Sequence, residues 1–197
     1  MKNILLPLGL IFAGLGSVAQ HHVPSPAIQI QTAVLSAPSD KRENSTVLGY
    51  NDKGELVELR KGTNELISLA DDPKVAGLNV ASYHKDLEPF MKRGRDLKYS
   101  GKSAKEVTDI RDEEVKSGKL LMPKQPLTLY VYTAKAENYD PITGNVKDGF
   151  LRYVIYIPYA TAESTGLPTK PDVPGMPWLM DPGSHRAHIM ITPPPKN

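Results

Sequence analysis

Two runs of β-branched and aromatic residues, Leu127 to Thr133 and Phe150 to Pro158, most constrain what this chain can fold into. Such residues suit a pleated surface. In the first run Leu127, Leu129 and Val131 share one face, and Thr128, Tyr130 and Tyr132 share the other. In the second, Leu151, Tyr153, Ile155 and Ile157 share a face, and the opposite face is also largely apolar. The second run therefore reads as a central strand covered on both sides. Between them lies Asp140-Pro141-Ile142-Thr143-Gly144-Asn145, where proline presets φ and glycine admits a left-handed backbone. The pair predicts one long antiparallel hairpin with ragged ends near Asn138 and Asp148-Gly149, and Pro158 ends its ladder.

Shorter elements precede it. Ala27 to Leu35 could be a short helix or a strand; Ile28, Ile30 and Thr32 alternate with Gln29 and Gln31, which leans to a first strand. Thr46-Val47-Leu48-Gly49-Tyr50, Glu55 to Arg60 and Glu65 to Leu69 are strands separated by Asn51-Asp52-Lys53-Gly54 and Lys61-Gly62-Thr63-Asn64, a β-meander that ends at Asp71-Asp72-Pro73. Asp86 is expected to cap a helix with Pro89 in its first turn and Leu87, Phe90, Met91, Gly94 and Leu97 as its buried stripe. Ser103-Ala104-Lys105-Glu106 is a capping box that opens a second helix running to about Ser117, with Gly118 past its end. Beyond the hairpin, Thr161 to Pro177 reads as loop. Trp178-Leu179-Met180 and His188-Ile189-Met190-Ile191 are two short strands turning at Asp181-Pro182-Gly183. The fold class is α+β: an antiparallel sheet, meander plus long hairpin, with two inserted helices packed on one face.

The N-terminus bears on compartment. Lys2 is followed by an apolar stretch from Ile4 to Leu15, and Ser17-Val18-Ala19 offers small residues where a signal peptidase reads. The expectation is a signal peptide over 1–19, cleaved after Ala19, and a periplasmic or secreted bacterial protein. Residues 20–45 are then a leader with a possible first strand, 46–192 a single domain and 193–197 a tail. With no cysteine in 197 residues there is no disulfide framework, thiol nucleophile or thiolate metal site. A formal net charge of +2 gives no reason to expect nucleic acid as a partner, and no transmembrane segment follows cleavage.

The succession Thr46-Val47-Leu48-Gly49-Tyr50, Tyr83-His84-Lys85-Asp86-Leu87-Glu88-Pro89-Phe90-Met91, Leu151 to Pro168, and Pro177-Trp178 through His188-Ile189-Met190 resembles a group of exported bacterial proteins with no assigned activity. The resemblance spans roughly Thr46 to Pro193. It implies a single exported domain and carries over no catalytic residue.

Few residues invite chemistry. Cleavage after Ala19 would leave Gln20-His21-His22, whose amine, two amides and His22 imidazole can wrap Cu(II) or Ni(II) in a square plane; cyclisation of Gln20 would remove the amine. His185 and His188 could bind a metal such as Zn(II) if Asp181, Glu163 or His84 converged on them, but three residues apart on a strand they point to opposite faces. Ser184 beside His185 suggests a hydrolase, yet Pro182-Gly183-Ser184-His185 lacks the glycine of a nucleophile elbow. Six of nine tyrosines lie on or near the hairpin. Tyr130, Tyr132, Tyr153 and Tyr156, with Trp178, could form a platform for sugar rings or peptide, or else pair across strands in the core. Lys92, Arg93, Arg95, Lys98, Lys102 and Lys105 make the helix pair basic, with Asp86, Glu88, Asp96 and Glu106 interleaved. The expected function is a non-enzymatic exported binding or interaction module for a small molecule, glycan or protein. The alternative is a metal-binding protein or metal-dependent hydrolase using His185 and His188.

Overall fold

The computed structural model describes residues 23–194, so the expected signal peptide and the candidate ligands Gln20, His21 and His22 lie outside the described residues. The described chain is α+β. Eight strands form one open, mostly antiparallel sheet. They are β1 Thr46–Tyr50, β2 Leu56–Arg60, β3 Leu66–Leu69, β4 Leu78–His84, β5 Leu127–Ala134, β6 Phe150–Tyr156, β7 Trp178–Met180 and β8 His188–Ile191. Their order across the sheet is β2-β1-β3-β4-β5-β6-β8-β7. The long hairpin is β5 and β6, in register from Leu127 opposite Tyr156 to Thr133 opposite Phe150. Its far end continues through a bridge between Tyr139 and Val146. There Gly144, at φ 73°, closes the turn by donating its N–H to Asp140 O at 2.8 Å.

Two helices inserted between β4 and β5, α2 Glu88–Tyr99 and α3 Ala104–Lys116, cover one face. Leu87, Phe90 and Leu97 are buried as the helical spacing predicts. Leu87 joins Tyr83 and Leu127 in a core cluster that also draws in Met91, Leu129 and Tyr156. The capping box of α3 forms, with Ser103 Oγ and the Glu106 carboxylate each accepting the other's N–H. The two helices are clamped where Arg93 donates twice to Glu114, at 2.7 and 2.6 Å.

Four details of the sequence reading need correction. Ala27–Leu35 is not a strand: Pro26–Ala33 is a helix, α1, and Ser25 Oγ accepts the Ile28 N–H at its start. Its buried side is Gln29, Thr32 and Ala33, so the helical period is carried by polar residues and escapes a hydrophobic reading. Gln29 is held by the edge of β1, donating to Tyr50 O and accepting from Tyr50 N at 2.8 and 2.7 Å. Thus α1 packs on the sheet, with Ala33 against Val47 on the face opposite α2 and α3. Second, β4 was missed, because small residues such as Ala81 and Ser82 fill its centre. Third, the first strands are not a simple meander: β1 and β2 form a hairpin, but β3 lies parallel to β1 on its other side. The connection crosses tightly, with Thr63 and Asn64 both donating to Asn44 O, and a Cβ on Gly62 would strike the Ser45–Thr46 backbone. Fourth, Asp86 does not cap α2. A 3-10 turn at Lys85–Leu87 intervenes, and His84 Nδ1 accepts the Asp86 N–H at 3.2 Å. Among the described residues no helix is long and apolar enough to cross a membrane.

Candidate functional site

The hairpin tyrosines divide between the two faces of the sheet. Tyr130 pairs with Tyr153, and Tyr132 with Leu151, so these side chains share the face that carries Ser82 and Val80. Tyr130 and Tyr153 meet edge to face with ring centroids 6.1 Å apart. Tyr156 falls on the opposite face. There it meets the Phe90 edge at 6.1 Å and the His188 ring at 5.4 Å, and burial raises its hydroxyl above the ordinary phenol range. Tyr156 is thus a core residue under α2, and Tyr130 backs Tyr153 rather than lining a cleft.

Tyr132 and Tyr153 line a cleft of about 580 Å³ together with Leu35, Arg42, Asp148 and Phe150. Trp178 lines a second, of about 540 Å³, whose walls include Val173, Met176 and again Phe150. Phe150, Pro193 and Pro194 belong to both clefts and form their common wall. Both volumes fall in the range of small-molecule sites. The Tyr132 ring lies so close over Gly149 that a Cβ there would overlap it. In the first cleft Arg42 is fixed by donating to the carbonyls of Ala37 and Leu35, at 3.0 and 3.2 Å. Asp148 takes a positive φ of 47° at the entry to β6. Phe150, Arg42 and Asp148 were not legible as site residues, because the loops that bring them together are distant in sequence.

His185 and His188 sit on the helix side, around Phe90 and Tyr156. His188 Nδ1 is 2.7 Å from Arg186 O. A carbonyl only accepts, so Nδ1 carries the proton in that bond, and in the neutral ring the lone pair is on Nε2. His185 is 5% exposed, with its ring against the edge of Phe90. Its Nε2 lies 3.4 Å from Asp112 Oδ1 on α3, without the geometry of a hydrogen bond. Burial holds the imidazole below its ordinary pKa; the Asp112 charge opposes this, while Arg186 and Arg111 reinforce it. Arg111 stacks on Phe90 with its guanidinium carbon 4.1 Å from the ring centroid, a cation–π contact. Burial also lowers the pKa of Arg111. Asp181 reaches Arg186 at 3.4 Å.

The acid beside His185 is therefore Asp112, which spacing could not suggest; Asp181 acts through Arg186, and His84 lies at the end of β4 beside Asp86. Among the described residues, no group of three or more His, Asp or Glu side chains is placed to hold a metal ion. Ser184 Oγ donates to Asp181 O at 2.8 Å and accepts from Arg186 N, so its hydroxyl is engaged with the turn.

The basic helix face is neutralised. Lys92, Arg93, Arg95, Lys98, Lys102 and Lys105 each face a carboxylate, of Asp96, Glu114, Glu88, Asp72, Glu106 and Asp109 respectively. Compared with family models, with curated proteins and with solved structures, the chain matches none.

Proposed function

We propose that this protein is an exported binding module whose adjoining clefts take a glycan. One observation carries the reading: Tyr132 and Tyr153 share a cleft with Arg42 and Asp148, and Phe150 joins it to the cleft of Trp178. A sugar ring presents an apolar C–H face and a rim of hydroxyls. Flat aromatic rings suit the first, and a guanidinium with a carboxylate suits the second. Held side chains favour recognition, because little rotamer freedom is lost on binding. The backbone bonds to Arg42 and the tight seat of Tyr132 over Gly149 provide that. Export rests on Lys2, the apolar run and Ser17-Val18-Ala19.

The experiment is affinity electrophoresis of the mature protein through gels containing neutral or acidic soluble polysaccharides. At least one should retard it, and Tyr153→Ala and Trp178→Ala should each weaken retardation about tenfold, the loss of one anchoring aromatic. A protein retarded by none, or variants retarded like the parent, would overturn the reading. An intact mass starting at Gln20, from protein recovered outside the cytoplasm of a bacterial host, tests export; a retained Met1 would refute it.

A further inference from the structure

A separate cavity of about 370 Å³ lies between α1, the loop joining β3 to β4, and the far end of the long hairpin. Pro24, Pro73, Val75, Ala76 and Pro141 supply apolar walls, and Asp71, Tyr139, Gln29 and Thr32 supply the polar groups. Val75 is 54% exposed. Asp71 Oδ1 accepts the Asn79 N–H at 2.8 Å, which fixes the carboxyl against β4. No Lys, Arg or His among the described residues comes within ion-pair distance of it; the nearby Asp72 takes Lys98 at 3.6 Å instead.

We infer that this cavity is a binding site for a small organic ammonium ion, with Asp71 as counter-ion and Tyr139 and the Val75–Pro141 walls receiving its apolar part. Asp72, on the same loop, adds negative charge beside the carboxyl, although Lys98 pairs with it. Tyr139 on the hairpin and Tyr50 on β1 are neutral hydroxyls, and α1 carries no charged residue. Partial burial pushes the Asp71 carboxyl up to about 7, and Asp72 adds to this against the opposing bond from Asn79. A carboxylate that is costly to ionise alone gains most from an arriving cation. Asp140 accepts from Ile142 N and Thr143 Oγ within its own turn, so Asp71 is the carboxyl that turns to the cavity.

The sign of the pH dependence follows. An ammonium ion binds the ionised carboxyl, so affinity is full at pH 8 and falls as pH drops through 7. At pH 5.5 about 3% of such a carboxyl is ionised, so affinity should fall about 30-fold. Binding near pH 7 should release a proton, since the cation lowers the carboxyl's pKa.

The test is calorimetric titration of the mature protein with phenethylamine, and with 2-phenylethanol as its uncharged isostere. Expected are binding of the amine at pH 8, at least tenfold weaker binding at pH 5.5, proton release in buffers of differing ionisation heat, and weaker binding of the alcohol. Asp71→Asn should abolish amine binding, and Asp72→Asn should retain it. No amine binding at pH 8, equal binding of alcohol and amine, or affinity unchanged between the two pH values overturns the inference. The comparison across pH uses the parent protein, so it decides the matter even if Asp71→Asn does not fold.

Discussion

Two clusters of polar side chains, one buried and one half-buried around His185, lie on opposite faces of the sheet and are built differently. Beneath α1, Ser36, Ser82, Ser68 and Ser45 run in a line of hydroxyls, linked at 2.7, 2.8 and 3.1 Å, and all four are fully buried. Each hydroxyl passes its single proton along the line, from Ser36 through Ser82 and Ser68 to Ser45, which donates to Arg42 O. Every member is neutral and has a partner. Beneath α3, Arg111, Asp112, His185 and Arg186 are titratable or charged, and each has a buried atom with no hydrogen bond. A hydroxyl line costs little to bury, since each desolvated oxygen regains a bond. Buried ions regain their hydration only with good geometry, which this second cluster lacks. The first cluster stitches α1 and the adjoining turn to the sheet centre. The second holds together charges whose energies depend on pH.

The sharpest way to break the comparison is to remove the one acid inside the charged cluster. Asp112→Ala leaves two guanidinium groups facing the imidazole and should cost about 2 kcal/mol in urea unfolding, less than a fully buried pair because Asp112 is a third exposed. A loss below about 1 kcal/mol would mean that water already satisfies these groups, and the contrast would vanish. In the hydroxyl line, Ser82→Ala removes the shared partner of Ser36 and Ser68. That should cost about 1–2 kcal/mol with no pH dependence between 5 and 8. The smallest effect is the titration of His185. Its folded pKa is depressed below the ordinary value, so the unfolded chain takes up the proton first as pH falls. Stability is therefore full above the unfolded pKa of about 6.5 and declines below it. His185→Asn should flatten that decline in urea midpoints, whereas Ser82→Ala should leave it unchanged.

How much of this was legible depends on where each signal is carried. The long hairpin, Trp178–Met180, His188–Ile191 and the stripe of α2 announce themselves by hydrophobic period and turn chemistry, both local. The α1 helix hides because its buried side is Gln29 and Thr32, whose partners are a strand edge and its own backbone. The clefts were half legible. Tyr132, Tyr153 and Trp178 stand out by residue type, but type does not say that Tyr156 turns inward to Phe90 while Tyr153 faces a cleft. Register decides that, since adjacent strand positions point to opposite faces.

By itself the sequence determined the long hairpin, the α2 and α3 helices, the capping box at Ser103 with Gly118 past the end of α3, the absence of any thiol chemistry and the near-neutral charge. These follow from local backbone preference and composition, which each residue carries wherever the chain goes. Only the tertiary structure decided that β3 passes β2 to lie parallel with β1, that Asp112 meets His185, and that Asp71 lines a cavity with Tyr139. Those outcomes depend on loop crossings and on the packing of distant elements, and no period or spacing encodes a contact between residues 73 positions apart such as Asp112 and His185.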